Sequence, residues 1–110
     1  MYASQKNIQI IISLLKQYGV RYLVLSPGTR NSALVHSVET DPDFVCFSIV
    51  DERSAAYFAL GLCESSGEPV GFSCTSSTAA CNYLPAIEEA AKKKLPLIAL
   101  TGDREWYKLY

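Results

Sequence analysis

The apolar residues of this chain change their spacing several times, and each change marks an element. Ile8, Ile11, Ile12, Leu15 and Tyr18 recur at helical spacing, and Gly19 stands where a left-handed C-cap ends a helix. An unbroken apolar run at residues 20–25 predicts a buried strand. After Pro27-Gly28 the pattern becomes helical again, with Asn31 or Ser32 as the cap of a short helix through Val38. Asp41-Pro42-Asp43 closes that helix, and residues 44–50 predict a second strand. Ala55, Ala56, Ala59, Leu60 and Cys63 then form a stripe of small residues along a helix spanning residues 52–64, which lets it lie close to a sheet; Gly67 ends it. Residues 70–74 predict a third strand, residues 78–93 a helical region, and residues 97–100 a fourth strand behind the breaker Pro96. Pro85 falls inside the helical region and predicts a kink or a split there.

Strands that alternate with helices, and that are apolar throughout, predict a parallel sheet covered on both faces by right-handed crossovers. The expected fold class is therefore α/β, a doubly wound parallel sheet. No internal repeat, linker or low-complexity stretch divides the chain, so residues 1–110 are read as one domain. The pattern stops soon after the fourth strand, at Trp106-Tyr107-Lys108-Leu109-Tyr110, without a closing element, and the expectation is a truncated domain.

Composition narrows the classes further. The 110 residues are 49% hydrophobic and 19% charged, which suits a globular domain with one core and not a disordered or fibrous chain. A net charge of -1 offers no basic stripe for phosphate backbones. Lys92-Lys93-Lys94 is better read as a helix's last turn, where cations complement the dipole, so no nucleic-acid partner is expected. Cys46, Cys63, Cys74 and Cys81 lack CxxC spacing and sit in apolar runs, which predicts reduced, buried, structural thiols. No stretch approaches the roughly 20 apolar residues of a membrane span, and the N-terminus lacks a signal peptide's apolar core, which points to the cytoplasm.

Three polar turns follow apolar strands: Ser26-Pro27-Gly28-Thr29-Arg30-Asn31-Ser32, Asp51-Glu52-Arg53-Ser54 and Thr75-Ser76-Ser77-Thr78. In an open α/β sheet the carboxyl ends of the strands are where ligands bind, so the three turns predict one shared site. Glu52 falls in a helix's first turn. A carboxylate there is favoured by the dipole alone, or it is buried among Ile49, Val50 and the alanines with a raised pKa, able to share a proton with a ligand nitrogen. Asp51 is the natural N-cap. Arg30, beside Ser26, Thr29 and Ser32, is either a solvated arginine or a bidentate holder of a carboxylate or phosphate. Arg104, in Thr101-Gly102-Asp103-Arg104, repeats the arrangement, and two arginines at one rim favour an anionic substrate. The small residues after Thr75 cap a helix, and they also let a flat ring approach the backbone. His36 has no partner at catalytic or metal-binding spacing and reads as a surface residue; no claim attaches to Arg53. No metal-ligand cluster, P-loop or GxGxxG turn is present.

Taken in order, four segments closely resemble one family. They are residues 26–32, Asp51-Glu52-Arg53-Ser54-Ala55-Ala56 with Ala59-Leu60-Gly61-Leu62, residues 75–82 with Tyr83-Leu84-Pro85-Ala86, and Leu100-Thr101-Gly102-Asp103-Arg104. The family is that of the 2-succinyl-5-enolpyruvyl-6-hydroxy-3-cyclohexene-1-carboxylate synthases, thiamine-diphosphate enzymes of menaquinone biosynthesis. The match spans nearly the whole chain but only the family's N-terminal, pyrimidine-binding domain.

The resemblance implies that Glu52 hydrogen-bonds N1′ of the cofactor's aminopyrimidine, sharing a proton that helps the cofactor become a nucleophile. It implies that Ser76, Ser77 and Thr78 lie along the cofactor, and that Thr29, Arg30 and Arg104 contact an anionic second substrate. The implied reaction decarboxylates 2-oxoglutarate and adds the succinyl unit to isochorismate. Magnesium and the cofactor's diphosphate would be bound by a domain outside this chain, in a homo-oligomer, so this stretch alone is expected to be inactive. An unpaired sheet edge and apolar helix faces also favour an oligomer. Ser77 stands where the family usually has glycine, and Glu105-Trp106 follow Arg104 where proline is usual. The alternatives are another thiamine-diphosphate carboligase, of acetolactate-synthase type, or a non-catalytic module that binds a small anion.

Overall fold

The computed structural model describes residues 6–28, 31–75 and 81–102. Its elements are α1 (Lys6–Gln17), β1 (Tyr22–Leu25), α2 (Ser32–Glu39), β2 (Val45–Ser48), α3 (Glu52–Ser66), β3 (Val70–Cys74), α4 (Leu84–Lys93) and β4 (Leu97–Thr101). The four strands form one sheet in the order β2-β1-β3-β4, and every pairing is parallel. The chain therefore moves from β1 to one side, then returns across it to place β3 on the other. That reversal makes the carboxyl ends of β1 and β3 a topological switch point.

Alternate residues of β1 serve opposite faces. Leu23 and Leu25 pack with Ile12 and Leu15 of α1 and Leu34, Val35 and Val38 of α2. Val24 packs instead with Ala55, Ala56, Ala59 and Cys63 of α3, Ala86 of α4, and Val70 and Phe72 of β3. A strand with both faces covered must be apolar throughout, so the predicted doubly wound α/β sheet is the observed one. The alanines of α3 are almost wholly buried, and their small side chains let this helix lie against the sheet.

Helix ends follow local chemistry. Gly19, at φ +76°, closes α1 in a Schellman motif, with its N–H on the Lys16 carbonyl at 3.2 Å and the Val20 N–H on Leu15 at 2.8 Å. Val20 thus belongs to the helix cap, which is why β1 begins at Tyr22 and not at residue 20. Tyr18, read as part of the buried face, is 72% exposed because it falls in the turn after the last helical residue. The second strand is also shorter than residues 44–50. Phe44 donates to the Asp41 carbonyl in a turn, Ile49 makes a last ladder bond to Leu25 at 2.9 Å, and Val50 turns outward at 85% exposure. In the region read as helical over residues 78–93, α4 starts at Leu84 with Pro85 in its first turn, where a missing N–H costs nothing. Residues 78–80 of that reading lie outside the described residues. No helix among the described residues is long and apolar enough to cross a membrane.

Candidate functional site

At the switch point the chain fills the crevice between β1 and β3 with its own polar groups. The Ser26 N–H continues the ladder onto the Ser73 carbonyl at 2.8 Å, and its hydroxyl donates to the Ile49 carbonyl at 2.6 Å. Asn31 or Ser32 was expected as the side-chain cap of α2. Asn31 occupies the N-cap position, but its carboxamide makes no capping bond. Instead its Oδ1 accepts from the Gly28 N–H at 2.8 Å, and its Nδ2 donates to the Ser26 carbonyl at 3.2 Å and to Ser73 Oγ at 3.0 Å. Ser26, Asn31 and Ser73 are all buried, and the two bonds that Asn31 Nδ2 donates are made away from water. Gly28 comes so close to β3 that a Cβ there would stand 2.9 Å from Thr75 Cβ. Only glycine fits.

The next turn lies at the end of β2. Asp51 caps α3 from extended backbone, accepting from the Ser54 N–H at 2.9 Å and from the Ser54 hydroxyl at 2.8 Å. Those two bonds hold its carboxyl below the usual range, so the expected structural role is the observed one. Glu52 opens the first turn of α3 and is half-buried. The expected enclosure by Ile49 and Val50 is only partly present, since Val50 points to solvent. The charge of Glu52 nevertheless acts at the end of β3. Burial, and then the charge of Glu52, push the Cys74 thiol at the end of β3 up to about 11, while a hydrogen bond with Thr101 opposes the shift. Thr101 is also bonded to the Tyr83 hydroxyl, and Tyr83 packs edge-on against Phe72 with ring centroids 4.9 Å apart.

Thr29, Arg30, Ser76, Ser77, Thr78 and Arg104 lie outside the described residues. Their described neighbours converge on one place, the carboxyl end of β3. Gly28 abuts Thr75, Glu52 acts on Cys74, and the Gly102 N–H donates to the Cys74 carbonyl at 3.0 Å. Gly28 after β1, Glu52 after β2 and Gly102 after β4 therefore meet at the end of β3, while residues 76–78 of the turn predicted after β3 lie outside the described residues.

Sequence reasoning placed Asn31 in a rim turn but gave it only the role of a cap, and it missed Ser73, Cys74 and Tyr83 as parts of this rim. Asn31 and Ser73 are 42 positions apart, and only the parallel register of β1 and β3 brings them together. The one available signal was a serine within an otherwise apolar strand. His36 is exposed on α2, as read, and Arg53 is exposed. All four thiols are free, but only Cys63 and Cys74 are fully buried; Cys46 is half-buried on an edge strand, and Cys81, in the turn before α4, is exposed. Among the described residues no group of three or more His, Cys, Asp or Glu side chains could hold a metal ion.

Known proteins resemble this chain over the same span. The family "Thiamine pyrophosphate enzyme, N-terminal TPP binding domain" matches residues 6–110. The 2-succinyl-5-enolpyruvyl-6-hydroxy-3-cyclohexene-1-carboxylate synthase of Phocaeicola vulgatus is 47% identical over 104 residues, 94% of this chain and 19% of the relative. That of Porphyromonas gingivalis is 48% identical over 107 residues, 96% of this chain and 18% of the relative. The chain thus spans less than a fifth of the length of these curated relatives. In fold it matches the crystal structure of benzoylformate decarboxylase from Polynucleobacter necessarius with a TM-score of 0.80 at 24% identity, covering 93% of this chain and 19% of that one.

Proposed function

We propose, for a chain that belongs to the thiamine pyrophosphate enzymes as their N-terminal TPP-binding domain, that it serves a transferase of menaquinone biosynthesis. The reaction is decarboxylation of 2-oxoglutarate and addition of the succinyl unit to isochorismate. Residues 1–110 supply the pyrimidine-binding domain, and a middle domain and a diphosphate-binding domain belong to the same protein.

One observation carries the reading. Gly28, Glu52 and Gly102, from the ends of β1, β2 and β4, meet at the carboxyl end of β3, with the half-buried Glu52 carboxylate acting on Cys74. A flat, nitrogen-bearing ring fits that chemistry, because a carboxylate at the rim can accept a hydrogen bond from a protonated ring nitrogen. Thiamine diphosphate supplies the carbon nucleophile and the electron sink for decarboxylation. Glu52 holds a proton at the ring nitrogen N1′, Ser76, Ser77 and Thr78 line the ring, and Asp51 fixes the start of α3 so that Glu52 stays in place. Thr29, Arg30 and Arg104 bind the carboxylates of isochorismate, for which a guanidinium fork is suited. Magnesium is held with the diphosphate by the other domain, the protein is a cytoplasmic homo-oligomer, and residues 1–110 alone do not turn over.

Incubation of the whole protein with thiamine diphosphate, magnesium, 2-oxoglutarate and isochorismate tests the reading. The expected result is carbon dioxide release with formation of the succinylated product. Turnover of pyruvate in place of 2-oxoglutarate would indicate an acetolactate-type carboligase. Anion binding without any turnover would indicate a non-catalytic module, and either result rejects the proposal.

A further inference from the structure

We propose that Ser26 is a positioning residue for Glu52, its hydroxyl fixing the point where β2 gives way to α3; the inference rests on the reading above in which Glu52 meets the cofactor ring. In a parallel ladder a residue gives its N–H to one residue of the neighbouring strand, and its carbonyl accepts from the residue two positions further on. Val45 donates to the Arg21 carbonyl at 2.7 Å and Ile49 to the Leu25 carbonyl at 2.9 Å, so the donor due at the Ile49 carbonyl is the N–H of residue 27. That residue is Pro27, which has none. The Ser26 hydroxyl takes its place, at 2.6 Å. Ser26 is itself 2% exposed and anchored through its backbone, with its N–H on the Ser73 carbonyl at 2.8 Å and its carbonyl accepting from Asn31 Nδ2 at 3.2 Å. The hydroxyl thus ties the end of β2, an edge strand, to the two interior strands. Beyond Ile49 only Val50, which points to solvent, and Asp51 precede Glu52. That short connection is held by the Ser26 bond at its sheet end and by the Asp51 cap at its helix end. The buried face of α3 begins only at Ala55, so a shift of the first turn moves Glu52 before it disturbs the packed helix.

The test uses the whole protein and two readouts, amide hydrogen exchange without cofactor and exchange of the C2 proton of bound thiamine diphosphate. The N–H groups of Ser54 and Ala55 bond to Asp51 at the start of α3, and that of Gly67 bonds to Cys63 at its end. Ser26→Ala should speed amide exchange at Ser54 and Ala55 about tenfold and leave Gly67 within about twofold of wild type. It should slow C2 exchange about tenfold, with the cofactor Kd within about twofold of wild type. Pro27→Ala, added to Ser26→Ala, supplies the N–H that the ladder lacks and should recover part of both losses. In a Glu52→Gln background Ser26→Ala should change C2 exchange no further, because Ser26 acts through Glu52. Ser26→Cys, a weaker donor of nearly the same size, should shift both rates in the same direction by less, and it decides the matter if Ser26→Ala does not fold. Amide exchange raised equally at both ends of α3, no recovery on adding Pro27→Ala, or losses that multiply with Glu52→Gln would overturn the inference. So would C2 exchange unchanged in Ser26→Ala and Ser26→Cys while Glu52→Gln slows it, and that outcome leaves the reading of Glu52 intact. A Glu52→Gln variant that exchanges as fast as wild type rejects both.

Discussion

A carboxylate in a helix's first turn is a common stabilising device, worth about 0.3–1 kcal/mol, and would need no ligand to explain it. What sets Glu52 apart is where its charge acts. It helps push the thiol of Cys74 up to about 11, after burial, and burial does the same at Cys46, aided by Glu39 and Asp41. For both thiols the neutral form is favoured on folding. Their contribution to stability is therefore fully present below pH 9.0, the ordinary thiol value, and is lost as pH rises through about 11. Thermal melts should accordingly fall between those pH values, and replacing Cys46 and Cys74 by alanine should flatten that limb; an unchanged alkaline limb contradicts the assignment. Gly28→Ala should destabilise by about 1–3 kcal/mol and loosen anion binding, because the new Cβ meets a Cβ of Thr75 that cannot swing aside. Thr75→Gly should recover part of that loss in a denaturant titration. Single residues were legible where their partners are close in sequence. Asp51 was, since its bonds go to Ser54. Asn31 was not, since its decisive partner is Ser73.

At the level of elements, the hydrophobic pattern carried most of the architecture, because each strand is apolar on both faces and each helix on one. Strand β3 and the caps at Gly19 and Gly67 fell where the pattern put them. The boundaries that moved did so through capping bonds the pattern does not encode, such as Val20 closing α1 and Ile49 ending the ladder on Leu25. The lysine run resolves into two roles. Lys92 and Lys93 sit in the last turn of α4, with Lys93 3.2 Å from Glu64 on α3, while Lys94 adopts the left-handed cap at φ +56°. A left-handed lysine is strained, so Lys94→Gly should stabilise the protein by about 1 kcal/mol, read as a higher denaturant midpoint. The close approach of α3 makes the opposite prediction at Ala59, which is fully buried. Ala59→Leu should cost about 1–3 kcal/mol by overpacking, and a neutral result would mean that α3 stands farther from the sheet than described.

The whole molecule is a sheet with two edges. Strand β2 bounds one side and β4 the other, and Tyr57 and Phe58 of α3 are both more than 40% exposed. The proposed homo-oligomer would cover such surface, so sedimentation of the whole protein should give a dimer or tetramer; a monomer at high concentration counts against it. The joining of four strand ends into one rim was legible as a principle of parallel sheets, but its contents depended on long-range register. That rim matters only if Glu52 acts on the cofactor ring. The most direct measurement is the exchange rate of the C2 proton of thiamine diphosphate bound to the whole protein, compared between wild type and Glu52→Gln. The account predicts exchange slowed by about 10²–10⁴-fold in the variant, with the fold intact and the cofactor bound. Exchange as fast as in wild type would contradict it.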